Sequence, residues 1–250
     1  MTIVLVHGVP ETSSVWDLLV PHLSRGPIMR LTPPGFGAPV PVGFGATVRE
    51  YLDWLIGELQ PIVAADGPVD LVGHDWGGVQ ALNVAMTRPD LLRTWVSDVP
   101  GLLDQDYAWH ARAQTWQQEG DGEELLAGWL AVGPEAFAAQ LSAVGMDPRV
   151  AQHVAVGFDE VMADSILRLY RSAVQPAMVK LGADLEKAAA VPGLALIPTE
   201  DHMAGPVGDA QRAAARSGAR IEVLHGLGHW WMTQDPARGA AALNHFWEKV

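Results

Sequence analysis

Six short apolar runs, many of them β-branched, recur along this 250-residue chain at 2–6, 27–31, 69–72, 93–97, 193–197 and 220–224. Runs of that length, apolar at consecutive positions, fit strands buried on both faces. Helix-like stretches at 13–24, 47–65, 76–88, 207–217 and 236–249 separate most of them. Parallel strands need a crossover of about a dozen residues or more, which a helix supplies. The alternation therefore predicts an α/β fold, with about six mainly parallel strands flanked by helices.

From about Gly101 to about Lys187 the alternation stops. The chain there is rich in Ala, Trp, Gln and Glu, with Pro100-Gly101, Gly133-Pro134 and Asp147-Pro148 at the joints. This pattern predicts a helical cap over 101–187, inserted into a core made of 1–100 and 188–250. The segment 33–46 carries Gly-Phe-Gly-Ala twice, but no GxGxxG frame and no following Lys-Ser/Thr, so it is expected to be a loop and not a phosphate cradle.

Composition excludes several functions. A formal charge of −13 disfavours binding by phosphate neutralisation, so nucleic acid is not an expected partner. With no cysteine, disulfides, thiolate metal sites and cysteine nucleophiles are ruled out. His225 and His229 are four apart, but Gly226 and Gly228 between them argue against one helical face, so neither a metal nor any other cofactor is expected. The opening residues lack a basic region and a long apolar run, so the expectation is a cytoplasmic monomer or homodimer that does not engage a membrane.

The chemistry centres on Gly73-His74-Asp75-Trp76-Gly77-Gly78, between the run at 69–72 and a helix-like stretch. This is a nucleophile elbow with Asp75 where serine often stands. The alternative is an Asp that merely caps the next helix. Two further loops support the elbow. In His7-Gly8-Val9-Pro10, the Val9 N–H can face a developing oxyanion, with the Trp76 N–H as second donor. After the last strand, Gly228-His229-Trp230 places His229 as a base, in the chain order nucleophile, acid, base. The acid that orients it is expected after the run at 193–197. Asp201 is the first candidate, with Asp98 and Glu200 as competitors.

Together, His-Gly-Val-Pro-Glu-Thr, Gly-His-Asp-Trp-Gly-Gly and Gly-His-Trp resemble the epoxide hydrolase and haloalkane dehalogenase branch of the α/β-hydrolase fold superfamily, over 1–100 and 190–250. Proteins of that branch usually begin with a β-hairpin that this sequence lacks, leaving a sheet edge for a partner chain to cover. An aspartate nucleophile suits attack on saturated carbon, because it yields an ester that a His229-activated water can hydrolyse, where serine would leave an inert ether. The resemblance implies that Tyr170, in Tyr170-Arg171, polarises an epoxide oxygen. Trp116 stands about where a second cap tyrosine is expected, with Tyr107 as a substitute. The implied reaction is opening of a small apolar epoxide, aromatic in view of the ten tryptophans, to a vicinal diol. Dehalogenation by the same ester, or a ligand-binding or biosynthetic role on the same scaffold, is the alternative.

Overall fold

A computed structural model describes residues Met1–Val250. The six apolar runs form six strands: β1 Ile3–Val6, β2 Ile28–Leu31, β3 Val69–Gly73, β4 Leu92–Ser97, β5 Gly193–Pro198 and β6 Arg220–Leu224. They make one sheet in the order β2-β1-β3-β4-β5-β6, and every neighbouring pair is parallel. Every residue of β1, β3 and β5 is buried, whereas the edge strands β2 and β6 are largely half-buried or exposed. That difference explains the sequence pattern: an inner strand covered on both faces has no polar face to show.

Helices cover both faces. On the amino-terminal side are α1 Val48–Asp66, which opens on a Thr47/Glu50 capping box, and α2 Trp76–Thr87. Between β4 and β5 lie α3 Ala111–Gln117, α4 Asp121–Ala143, α5 Pro148–Val156, α6 Glu160–Ser172 and α7 Ala177–Leu181, with no strand among them. A 3-10 run at Gly182–Ala190 then returns to the core, where the Trp95 indole donates to the Ala188 carbonyl. The chain closes with α8 Val207–Arg216, α9 Trp231–Gln234 and α10 Pro236–Trp247. No helix is long and apolar enough to cross a membrane.

One expectation changes. The stretch 13–24 is not a helix but two 3-10 segments, Ser13–Trp16 and Val20–His22. Pro21 is the reason: it has no N–H and disfavours helical dihedrals at the residue before it. The joint expected at Gly133-Pro134 is a bend within α4, where the Gly133 φ of 78° lies outside the helical region. The largest fully buried side chains of the core are tryptophans: Trp16, Trp95, Trp230, Trp231 and Trp247.

The connection from β3 to α2 leaves no room for side chains on its glycines. A Cβ on Gly73 would lie 2.1 Å from the Gly77 carbonyl oxygen, and one on Gly77 would lie 2.2 Å from that of Val6. We expect Gly73→Ala to lower the unfolding free energy by about 1–3 kcal/mol or more, because backbone must move to admit the methyl group. Urea unfolding checks this: the midpoint should fall with an unchanged m value.

Candidate active site

Asp75 sits between β3 and α2 with φ 51° and ψ −122°. A non-glycine residue in such a conformation costs on the order of 1–3 kcal/mol and persists only where its surroundings enforce it. Its side chain makes no capping bond to α2, so the helix-cap alternative does not describe it. Instead Asp75 Oδ1 accepts the Val9 N–H at 2.9 Å, which leaves Oδ2 without a protein donor. This contact depends on Gly8, where a Cβ would come within 2.2 Å of Asp75 Oδ1. The Trp76 N–H, first in α2, has no carbonyl of its own helix to bond.

His229 follows β6 and is buried with Asp75 close enough to act on its charge. Its Nδ1 lies 2.9 Å from Asp201 Oδ2, while Asp201 Oδ1 accepts the N–H groups of Met203 and Ala204 at 2.8 and 3.2 Å. The Asp201 carboxylate is thus held in place on both oxygens. Burial opposes its charge, but the His229 imidazole outweighs burial and brings its pKa down to about 2. In turn, burial would lower His229, and the Asp201 carboxylate overcomes this and raises it. Of the competitors, Glu200 is exposed and accepts from the Thr199 hydroxyl, and Asp98 is engaged elsewhere.

Asp98 belongs to a buried network that the motifs alone did not disclose. His74 is flanked by two carboxylates, with Nδ1 at 2.5 Å from Asp98 Oδ2 and Nε2 at 3.0 Å from Glu11 Oε1. The Trp230 and Trp231 indoles donate to Glu11 at 2.5 Å and to Asp98 at 2.7 Å. Glu11 also receives the Gly8 N–H, and Asp98 receives the N–H of Asp75 itself. Burial would neutralise His74, but Glu11 and Asp98 outweigh it and hold the ring as an imidazolium. Burial likewise opposes the Glu11 charge, and His74 prevails to bring Glu11 down to about 2.

Glu11, His74 and His229 offer ligand atoms within 4.8 Å of one another, the spacing of a metal cluster. However, Glu11 Oε1 and both His74 nitrogens are already spent on hydrogen bonds inside the network. The donor set therefore fits a buried ion pair better than an ion site. A sequence clue to this network existed: Glu11 stands in the His-Gly-Val-Pro-Glu-Thr motif, and His74 directly precedes Asp75 in the elbow.

Burial raises the Asp75 pKa to about 6, with the charges of His229 and His74 pulling it back. Above Asp75, helices α3 and α6 contribute an aromatic cluster. The Tyr170 ring lies 5.5 Å from Trp76, 5.3 Å from Trp109 and 4.7 Å from Trp116, and Tyr107 packs edge-on against Trp109. The Tyr170 hydroxyl donates to no protein acceptor, and burial with the nearby Asp75 charge raises its pKa well above the ordinary value. The buried indole N–H groups of Trp76 and Trp116 make no hydrogen bond of normal geometry, although the Trp76 N–H lies near enough to the Tyr170 oxygen to favour its anion. Tyr107 feels the Asp75 charge as well, but its hydroxyl makes a long 3.4 Å bond to the Met203 carbonyl. The predicted residues Asp75, His229, Asp201, Val9, Trp76, Tyr170 and Trp116 thus lie in one connected region, and Glu200 lies outside it.

A parallel sheet with an elbow after its third strand and a base after its last is the architecture of α/β-hydrolases. The alpha/beta hydrolase family matches residues 3–242, and the chain belongs to that family of hydrolase-type enzymes. It is 30% identical over 92 residues to the (E)-2-((N-methylformamido)methylene)succinate hydrolase of Acinetobacter baylyi, a match covering 36% of this chain and 34% of that protein. It is 38% identical over 84 residues, 31% of this chain, to the Mycobacterium tuberculosis protein named probable oxidoreductase EphD, of which the match spans 14%. The chain thus spans only about a third or less of the length of these curated relatives. In fold it is similar to a loop variant of haloalkane dehalogenase DbeA from Bradyrhizobium elkanii, at a TM-score of 0.73 and 17% identity, covering 99% of this chain and 90% of that one.

The buried ion pair makes a measurable demand on stability. Because the folded pKa of Glu11, about 2, lies below its usual 4.5, the carboxylate contributes stability that is present above pH 4.5 and lost as pH falls through 2. Replacing Glu11 strands the His74 charge against one carboxylate. We expect Glu11→Gln to cost about 3–5 kcal/mol at neutral pH. In chemical denaturation across pH, the gap between wild type and variant should shrink below pH 4.5.

Proposed function

We propose that this hydrolase opens a small apolar epoxide to a vicinal diol through an ester on Asp75. The observation that carries this reading is the pairing of a buried carboxylate, presented at a strained elbow with Oδ2 unengaged, with a buried phenol that has no acceptor. A carboxylate needs no base to attack saturated carbon, and the ester it forms is hydrolysable. In the first step Asp75 Oδ2 bonds to a ring carbon, the ring C–O bond breaks, and the epoxide oxygen takes the Tyr170 proton. The phenol is a weak acid that stays protonated until an alkoxide, more basic than itself, forms beside it. Trp116 supplies a hydrogen bond to the same oxygen, and Tyr107 is the substitute for it.

In the second step His229 Nε2 accepts a proton from water as the oxygen adds to the Asp75 carbonyl carbon. The Val9 and Trp76 N–H groups hold the oxyanion that forms. Its collapse expels the diol and restores Asp75, and the expelled oxygen and Tyr170 recover the two protons in play. Asp201 holds the imidazole with Nε2 toward Asp75 and stabilises its cationic form. The helical segment between β4 and β5 acts as a cap, and its aromatic residues give the Asp75 side an apolar surface suited to aromatic epoxides.

One observation favours a second reading, dehalogenation by the same ester. The unpartnered indole N–H groups of Trp76 and Trp116 flank Tyr170, and a halide leaving group needs N–H donors of that kind.

A single turnover in heavy-oxygen water separates these readings from direct hydrolysis. The label should enter Asp75 and not the diol, and label found only in the product would overturn the ester. Tyr170→Phe should lose epoxide opening by about 10²-fold or more, the range of general acid catalysis, while halide release from an alkyl halide should fall little. Ester formation should also decline as pH falls through about 6, where Asp75 takes up a proton, in a stopped-flow pH profile.

A further inference from the structure

A groove of about 530 Å³, not lined by Asp75, opens where the segment between β4 and β5 rejoins the core. Its walls come from the first turn of α1, the last turns of α2, the end of α6, α7 and the 3-10 run after it. The residues of α2 that line it begin at Asn83, about two turns along the helix from Asp75. The site is therefore separate from the carboxylate and phenol discussed above.

Three features of the groove point to one kind of ligand. The floor is apolar, formed by Leu52, Met86, Met178 and Leu181, of which the first three are buried. Within it lies the Asn83 amide, only 1% exposed, whose Nδ2 donates to Gln80 while Oδ1 receives no protein donor. With no protein donor, that oxygen is left to water or to a ligand in the groove. The rim is basic. Arg49 is paired with Asp53 at 2.9 Å and Lys187 with Asp184 at 2.6 Å, but Lys180, exposed at the rim, has no carboxylate partner. With Arg49 and Lys187 each held by a carboxylate, Lys180 leaves one uncompensated positive charge at the groove, in a chain of net charge −13.

We propose that this groove binds a small amphiphilic anion, its apolar body on the Leu52, Met86 and Met178 floor and its charged end at Lys180. The volume lies within the range of about 300–1,000 Å³ usual for small-molecule sites. A carboxylate or another anionic head answers Lys180. A hydroxyl or a bound water on the ligand side satisfies Asn83 Oδ1. Because Ser172, at one wall, follows Tyr170 by two residues and accepts the Val48 N–H at 3.0 Å, an occupant would bridge the core and the helix that carries the phenol.

Calorimetric titration with sodium decanoate, below its micelle concentration, tests the proposal. Wild type and Asp75→Asn should each show one saturable site of equal affinity, since that site does not use Asp75. Lys180→Glu, a surface change that leaves the fold intact, should weaken binding about tenfold by removing the ion pair and adding repulsion. Met86→Trp should abolish binding by filling the floor, and decylammonium should not bind. The proposal is overturned if decanoate does not saturate wild type, if decylammonium binds as well, or if Lys180→Glu retains full affinity. Failure here leaves epoxide opening untouched, and absence of epoxide opening leaves decanoate binding untouched.

Discussion

The Glu11–His74–Asp98 ion cluster is the interaction on which the rest of this structure depends. It joins four segments distant in sequence: the loop after β1, the elbow after β3, the end of β4 and the loop that carries His229. Each charge would be prohibitive alone, since the effective penalty for burying an ion is several kcal/mol. Here every oxygen and nitrogen of the cluster meets a partner, through the two tryptophan indoles and the N–H groups of Gly8 and Asp75. Those backbone donors matter most. By fixing Gly8 and Asp75, the cluster enforces the φ of 51° at Asp75 and points the Val9 N–H at its carboxylate.

The same cluster sets the electrostatics of the site. Asp75 is buried deeply enough to be pushed up to about 6, yet it is not driven to neutrality, because the His74 and His229 charges lie within reach. Two histidines of adjacent position therefore have different tasks. His74 has both nitrogens engaged by carboxylates and is locked as a cation, so it cannot exchange protons in a cycle. His229 has only Nδ1 engaged, by Asp201, and keeps Nε2 available. The ring centroids of the two are 4.6 Å apart, so the fixed cation also works against protonation of its neighbour.

Much of the fold was legible because the strands are short, apolar and separated by turns rich in glycine. Each of the six runs became a strand, and the motif glycines proved necessary at the elbow, where Gly73 and Gly77 have backbone within contact distance. The error at 13–24 came from reading apolar spacing while passing over Pro21. Among the site residues, Asp75 and His229 were legible because each sits in a motif with its structural context. Sequence ranked Asp201 ahead of Asp98 by its place after the run at 193–197 but left Asp98 as a competitor, since both follow strands that end on the same side of the sheet. Their hydrogen bonds distinguish them: Asp201 reaches His229, while Asp98 reaches His74, Trp231 and the Asp75 N–H.

The sequence by itself determined that the chain is α/β, that its strands are parallel, and that an aspartate and a histidine occupy the elbow and the last loop. These features are local, written in strings of neighbouring residues and in turn chemistry. The tertiary structure decided which carboxylate serves which imidazole, how far burial raises Asp75, and which donors remain free beside it. Burial and pairing are set by residues far apart in the chain, so no window of sequence contains them. The Tyr170, Trp76 and Trp116 cluster shows this plainly, since one of its rings belongs to the core and two to separate inserted helices.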